Sequence, residues 1–238
     1  MIVHLGDDIT CLSRGPKTFL LTGSTAGAPL PLVTSVVNGA SFAAGPLAAG
    51  SWATVFGSCL GGQKVSVTFD GIVSTLAYAG PKQINLLIPS QLASQSSAQM
   101  VVAVDGQRSI PITVSLTATC PGIFTPGILN QDYSVNSASS PAALGSVIQI
   151  YMTGLNVPAG WAASADIGND LGLTPLYAGP APGLAGLDQV NVLLPPDLSG
   201  SRVPVKVCVA QLVGTQKICS PAVDLAIGGG TTSARSER

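Results

Sequence analysis

Charged side chains are scarce in this sequence of 238 residues, making up only 9% of it, against about 25% in an average soluble domain. The 10 basic and 11 acidic residues give a formal charge of −1, and no run of lysine or arginine could neutralise a series of phosphates. Nucleic-acid binding is therefore not expected. The surface should consist of serine, threonine, glutamine, asparagine, glycine and backbone groups.

The side chains that acid–base and nucleophilic catalysis require are also rare. The only histidine is His4 and the only glutamate is Glu237, so no Ser/His/Asp or Cys/His arrangement can form within the body of the chain. Asp70 and Asp105 each precede a glycine and suit turns. The segment Asp166–Asp170 offers oxygens to calcium but lacks the spacing of a calcium loop. We therefore predict no catalytic residue, no metal site and no cofactor.

Long apolar runs and helical periodicity are missing as well. No stretch of 18 apolar residues exists, which predicts no transmembrane span, and the first eight residues do not resemble a signal peptide. If the protein is exported, we expect this chain to be a fragment. What remains is a series of short β-rich runs between turn signals, such as Val65 to Phe69 and Ile110 to Leu116, which is typical of a β-sandwich.

An internal repeat decides the number of domains. The run Gly50–Phe56 recurs as Gly145–Tyr151. Tyr-Ala-Gly-Pro begins at Tyr78 and again at Tyr177, and in each copy it leads to a Gln-x-Asn strand that ends in proline. A hairpin closes each copy. We therefore predict an all-β chain of two tandem β-sandwich modules. Their predicted limits are 32–120 and 121–228, between a linker or remnant of a preceding domain at 1–31 and a disordered tail at 229–238.

The two copies differ in the loop between that proline and the glutamine. The first copy has one residue there, Lys82, whereas the second has the eight residues from Ala181 to Asp188. An insertion rich in glycine and proline predicts a surface loop, and surface loops often carry function.

Several motifs occur in an order that resembles a known family. They are Val-Val-Asn-Gly-Ala-Ser-Phe at 36–42, Gly-Ser-Trp-Ala-Thr-Val-Phe at 50–56, Pro-Gly-Ile-Phe-Thr at 121–125 and Gly-Leu-Asp-Gln-Val-Asn-Val at 186–192. This succession resembles the C-terminal domain family named for Solibacter, and each half resembles the IPT/TIG sandwich. The resemblance implies that both modules are immunoglobulin-like. The resemblance implies the C-terminal region of a large exported acidobacterial protein, without an established activity, at an extracellular location.

The five cysteines form no Cys-x-x-Cys pair, and disulfides suit them better than a metal. Cys208 and Cys219 are placed symmetrically about a predicted hairpin turn, which brings them opposite each other and predicts a disulfide. Cys59 follows the first repeated strand and Cys120 ends the same module, so a second disulfide between them is expected. Cys11 would then be unpaired.

The Gln-x-Asn strands place two amides on one face in each copy. They could contact a ligand, but we expect Gln83, Asn85, Gln189 and Asn191 to satisfy backbone groups of neighbouring loops instead. The apolar residues that alternate with them should face the core. These are Ile84, Leu86, Ile88, Val190, Val192 and Leu194.

Two tryptophans invite comparison with the aromatic platforms that bind sugars. Trp52 lies in a repeated strand and is expected in the core. Trp161 is expected in a loop, where it could stack on a sugar or pack between the modules.

Taken together, these features predict a non-catalytic extracellular module with a structural, adhesion or assembly role. A module that binds carbohydrate or protein through loops of the second copy is the alternative, and a hydrolase is third. The expected partners are protein or glycan at the cell surface, or a second copy paired along an exposed edge strand. The residues predicted for the binding alternative are Asn156, Trp161, Leu184, Leu187 and Asp188.

Overall fold

The computed structural model describes residues 29–228. The predicted tail and nearly all of the predicted N-terminal linker lie outside these residues, as does Cys11. The described chain is all-β, and its one helical element is a short 3₁₀ turn, Ser90–Leu92. No helix within residues 29–228 is long and apolar enough to cross a membrane.

The first sandwich packs two sheets around one core. One sheet has the strand order β1-β3-β7-β6, and the other has β2-β10-β8-β4-β5 with β9 also paired to β8. The strands are β1 (Leu32–Asn38), β2 (Leu47–Ala48), β3 (Trp52–Ser58), β4 (Val65–Phe69), β5 (Ile72–Val73), β6 (Thr75–Gly80), β7 (Gln83–Leu87), β8 (Ser97–Val104), β9 (Gln107–Arg108) and β10 (Ile112–Thr117).

The second sandwich repeats this plan. Its sheets have the orders β11-β12-β16-β15 and β14-β13-β17-β18, with β19 also paired to β17. The strands are β11 (Gly122–Leu129), β12 (Val147–Thr153), β13 (Trp161–Ile167), β14 (Asp170–Leu173), β15 (Tyr177–Pro180), β16 (Asp188–Leu193), β17 (Arg202–Gln211), β18 (Lys217–Cys219) and β19 (Val223–Ala226).

The repeated sequence blocks occupy equivalent strands. In each sandwich the Gln-x-Asn strand lies between the first repeated strand and the Tyr-Ala-Gly-Pro strand, and all these pairs are antiparallel. Alternation along the strand sends every second residue inward. The six apolar residues predicted to face the core are no more than 1% exposed, which confirms that prediction.

The turn signals also correspond to the structure. Asp105 and Gly106 have φ values of 49° and 88°, the positive values that a two-residue hairpin turn requires at both positions. In the second copy, Cys208 lies directly opposite Cys219. Their sulfurs are bonded at 2.06 Å, so the predicted disulfide is confirmed.

Candidate functional site

The two sandwiches are connected by residues 118–121, which run from the end of β10 to the start of β11. The hydroxyl of Thr119 donates to the carbonyl oxygens of Gly154 at 3.2 Å and Leu155 at 2.7 Å. The N–H of Cys120 donates to the same Gly154 carbonyl at 2.9 Å. The connection is therefore fixed along the second sandwich.

Asn38, at the end of β1, holds the connection from the first sandwich. It is 1% exposed. Its Nδ2 donates to the carbonyl oxygen of Cys120 at 3.0 Å, and its Oδ1 accepts from the N–H groups of Ala40 and Ser41. A Cβ on Gly122 would collide with this amide, so the two sandwiches approach each other closely here.

The predicted disulfide between Cys59 and Cys120 is wrong. The Cys120 thiol is free, whereas Cys59 is disulfide-bonded. Cys120 lies in the connection between the sandwiches, where burial raises the pKa of its thiol and a hydrogen bond from Asn38 opposes that effect. Its position is set by the domain junction rather than by the closing of the first module.

The insertion in the second copy, residues 181–187, docks onto the first sandwich, and we call it the clamp loop. The indole Nε1 of Trp52 donates to the carbonyl oxygen of Ala185 at 3.0 Å. The backbone N–H of Trp52 donates to Oγ1 of Thr153 at 2.8 Å, and that hydroxyl donates to the carbonyl oxygen of Gly186 at 2.7 Å. A chain of hydrogen bonds thus links the two sandwiches through the loop.

The clamp loop fits most tightly against the first sandwich at Gly186. Gly186 has a φ of +71°, and a Cβ there would collide with Leu87 and approach the carbonyl oxygen of Gly50 and Nε1 of Trp52 at 3.1 Å each. Gly183, in the same loop, has a similar φ of +75° but open space around it. Of these two glycines, only Gly186 is close to the first sandwich.

Asp188 follows the clamp loop at the start of β16. Its side chain is buried, with 9% of the residue exposed, and Oδ2 accepts from the backbone N–H of Leu155 at 2.9 Å. Burial raises the pKa of this carboxyl group, and the hydrogen bond from Leu155 opposes the rise. The carboxylate holds together two loops of the second sandwich that form the junction.

Four of the five residues predicted as a ligand loop lie at the junction. Asn156 donates Nδ2 to the carbonyl oxygen of Ala49 at 2.8 Å and, like Asp188, serves the junction. Leu184 and Leu187 lie on the clamp loop, where Leu184 is 55% exposed and Leu187 is half-buried.

Trp161 is not in a loop, contrary to expectation. It is the first residue of β13, because it pairs with Gln211 of β17, and it is half-buried against the core of the second sandwich.

Trp52 is also not a core residue. Alternation along β3 sends Ala53 and Val55 inward, both 0% exposed, and puts Trp52 with Thr54 and Phe56 on the outer face of the sheet. The alternation is visible in the sequence and places Trp52 outside, so the expectation of a core position from its place in a repeated strand is wrong.

A groove of about 210 Å³ lies beside Trp52 at the junction. The first sandwich contributes Trp52, Thr54, Ala77 and Asn85 to its walls, and the second contributes Phe124. Ala77 lies at a β-bulge in β6, a feature that often re-aims a side chain. Within the described chain, no ionisable side chain lines this groove.

Of the amides in the Gln-x-Asn strands, only that of Asn85 lines the groove. Oδ1 of Asn85 accepts from Oγ1 of Thr54 at 3.1 Å and from Nε2 of Gln83 at 2.8 Å. In the second copy, Gln189 donates to Asn191 at the same 2.8 Å. The expectation that these amides satisfy backbone groups is therefore wrong, because they bind one another.

Asp166 lies against the Cys208–Cys219 disulfide. One of its carboxylate oxygens and the two sulfurs are within 4.8 Å of one another, close enough to suggest a metal site. The sulfurs are bonded to each other, so no thiolate is available for a metal. Partial burial acts to raise the pKa of Asp166, but the hydrogen bonds from Lys217 and Gly172 and the charge of Lys217 together hold it below its usual value. The Lys217–Asp166 ion pair, at 2.9 Å, makes this a structural cluster.

No protein-family model and no curated protein sequence matches this chain. Solved structures do match it, among them domains 5–6 of the S-layer protein SbsC at 14% identity and a TM-score of 0.29, with 84% of this chain and 100% of that chain covered. Titin immunoglobulin domains A164–A165 match at 10% identity and a TM-score of 0.26, with 84% and 99% covered. The described chain forms two β-sandwiches in tandem.

An enzyme is also among the matched structures. The γ-CGTase of the alkalophilic Bacillus clarkii matches at 13% identity and a TM-score of 0.32, over 87% of this chain and only 27% of that chain. The tandem sandwiches thus span about a quarter of that enzyme. At these identities and TM-scores, the matches say nothing of what the present chain binds or does.

Proposed function

We propose that these two sandwiches form a rigid, non-catalytic segment of an exported protein, which holds its neighbours at a fixed separation at the cell surface. The observation that carries the proposal is the junction. Relative motion is the default for tandem domains, yet here the connection is only residues 118–121. Asn38 binds the connection, and the clamp loop binds Trp52 of the first sandwich.

The carboxylates support a structural role. Asp70 accepts from the N–H of Gln99, and Asp105 accepts from the N–H groups of Gln63 and Lys64. Asp224 pairs with Arg202 at 3.0 Å. Acid–base catalysis needs titratable groups that converge on one reacting atom, whereas these carboxylates cap turns and pair with cations.

The disulfides support export. Structural disulfides persist mainly in oxidising surroundings outside the cytosol, and both Cys208–Cys219 and Cys59 are oxidised. Together with the resemblance to the Solibacter-type family, this favours a place in the C-terminal region of a larger exported protein. A role in adhesion or assembly at the surface would use the same rigidity.

Rotational diffusion measured by ¹⁵N relaxation tests the proposal. We expect one common correlation time for both sandwiches. Gly186→Ala should give them separate correlation times, because the added methyl group would displace the Leu87 side chain and crowd both the carbonyl oxygen of Gly50 and Nε1 of Trp52. Gly183→Ala is the matched control. It carries the same cost of a positive φ, about 1–2 kcal/mol, without the collision, and should tumble like the parent protein.

Two results would overturn this function. One is independent tumbling of the two sandwiches in the parent protein. The other is loosening by Gly183→Ala to the same extent as by Gly186→Ala, since the clamp contact would then have no part in the rigidity.

A further inference from the structure

We propose that the groove at the junction binds a single sugar ring of an uncharged polysaccharide, with Asn85 as its central polar contact. This binding function goes beyond the spacer role but rests on the same docked junction. Sandwiches that tumble as one body and yet bind no polysaccharide would overturn the binding function alone. It also differs from the binding alternative drawn from the sequence, which used the loops of the second copy.

The amide of Asn85 is held ready to donate. Its Oδ1 already accepts hydrogen bonds from Thr54 and Gln83, which fixes the orientation of the amide plane. Its Nδ2 has no hydrogen-bond partner among residues 29–228, and Asn85 lines the groove. A pre-oriented donor loses little entropy on binding, so an acceptor such as a sugar hydroxyl suits it.

Aromatic side chains stand beside this amide. Trp52 and Phe124 both line the groove, and the bond from Trp52 Nε1 to the carbonyl of Ala185 fixes the indole ring. The C–H face of a sugar ring packs well on an aromatic ring that also has polar groups beside it. Because Phe124 belongs to β11, the groove is complete only when both sandwiches are docked.

The lining of the groove decides the charge of the ligand. A carboxylate or ammonium group on the ligand would lose hydration on entering and find no opposite charge among the lining residues, which is costly. An uncharged ligand with many hydroxyl groups avoids this cost. The occupant is therefore a neutral glycan rather than an acidic polysaccharide or a charged peptide.

The size of the groove suits a polymer. Its volume of about 210 Å³ is below the roughly 300–1,000 Å³ of pockets that enclose drug-sized ligands, so it holds one ring. The outer face of the sheet continues beyond it. Gln83 and Phe56 lie opposite each other there, and the ring of Phe42 is 6.0 Å from that of Phe56, so further sugar units can extend over an aromatic surface.

The second copy supplies a matched control. Asn191 accepts from Gln189 as Asn85 does from Gln83, but the positions equivalent to Trp52 and Thr54 are Val147 and Gln149. Neither Asn191 nor its neighbours line the junction groove.

Affinity electrophoresis of the full chain in gels that contain hydroxyethylcellulose, xyloglucan, galactomannan or alginate tests the proposal. At least one neutral polysaccharide should slow the protein, and alginate should not. Asn85→Asp keeps an acceptor for Thr54 and Gln83 but removes the amide donor, and it should weaken binding about tenfold or more. Asn191→Asp adds the same charge and should change binding less than about twofold.

Phe124→Leu is the second variant, because it keeps apolar packing in β11 and removes the ring. It should also weaken binding of the neutral polysaccharide while both sandwiches stay folded. The proposal is overturned if no neutral polysaccharide slows the protein, if alginate alone does so, or if Asn191→Asp weakens binding as much as Asn85→Asp. Retention of full binding by Phe124→Leu would also overturn it.

Discussion

The two sandwiches solve one hydrogen-bonding requirement in different ways. In the first, the backbone N–H of Leu60 donates to the carbonyl oxygen of Pro81 at 3.0 Å. In the second, the equivalent Leu155 donates to the carboxylate of Asp188 at 2.9 Å, and the carbonyl oxygen of Pro180 instead accepts from the hydroxyl of Tyr177 at 2.6 Å. Duplication has therefore kept the need of a buried N–H for an acceptor, but not the group that meets it.

The closing hairpins differ in the same manner. The first turns in two residues, and the carboxylate of Asp105 accepts from the N–H of Lys64 at 2.7 Å. The second has a five-residue tip at residues 212–216 and is cross-linked by Cys208–Cys219. A longer loop holds its two flanking strands together less tightly than a two-residue turn does. In the second copy the disulfide holds these strands together instead.

Substitutions at equivalent core positions should cause the largest losses of stability, and these losses should be similar in the two copies. Ile88 and Leu194 are 0% and 1% exposed. Ile88→Ala and Leu194→Ala should each lower the free energy of unfolding of their own sandwich by about 2–5 kcal/mol. Native-state hydrogen exchange reads the two sandwiches separately. Equal loss of protection in both sandwiches from either substitution would show that they unfold as one unit and would contradict this view.

Removal of the disulfide should affect only the second copy. The double variant Cys208→Ser with Cys219→Ser should lower the stability of the second sandwich by about 2–3 kcal/mol, because the bond closes a short loop. Denaturation followed by hydrogen exchange at β17 and β18 gives the measurement. Exchange in the first hairpin, around Asp105, is the internal control and should not change.

Leu87 and Leu193 occupy the same position in the repeat but different surroundings. Leu193 is 52% exposed, whereas Leu87 is half-buried where Gly186 of the clamp loop meets it. Leu87→Ala should cost about 1 kcal/mol and Leu193→Ala less than about 0.5 kcal/mol, as measured by urea denaturation. Equal costs would mean that the clamp loop does not cover Leu87 in solution.

The sequence predicted the repeated strands and the alternation of buried and exposed residues along them. Local patterns identified the strands, the inward faces of the Gln-x-Asn strands, the turn at Asp105-Gly106 and the cross-strand disulfide, because each depends on neighbours in the chain or across one hairpin. The junction could not be predicted in this way. Trp52 reaches Thr153, 101 residues away, and Ala185, 133 residues away, and such contacts depend on how two folded domains dock.

The same limit explains the groove and the error at Cys120. Alternation in β3 could have placed Trp52 and Thr54 on the outer face, but nothing local shows that Phe124 completes the wall. Cys120 was assigned to the first module by its position after the last strand. Its actual neighbours are Asn38 on one side and Gly154 on the other, and the second of these belongs to the other sandwich.

The smallest effect on stability is expected from the titration of Asp188. Its counterpart in the first copy, Lys82, is exposed. Burial raises the pKa of Asp188 in the folded protein, so the folded state binds its proton more tightly than the unfolded state does. Its contribution to stability is full below the unfolded pKa of about 3.9 and is lost as the pH rises through the folded pKa. The slope cannot exceed about 1.4 kcal/mol per pH unit, the limit for one proton.

Asp188→Asn should remove this dependence, because the amide oxygen can still accept from Leu155 and carries no charge to desolvate. Urea denaturation of the second sandwich between pH 3 and pH 7 gives the measurement, and Asp197→Asn, at an exposed carboxylate outside the junction, is the control. If the parent protein gains stability as the pH rises through the acid range and Asp188→Asn abolishes that gain, the carboxylate at the junction stabilises the fold as an ion. The replacement of a proline carbonyl by Asp188 would then be a gain of the second copy rather than a tolerated cost.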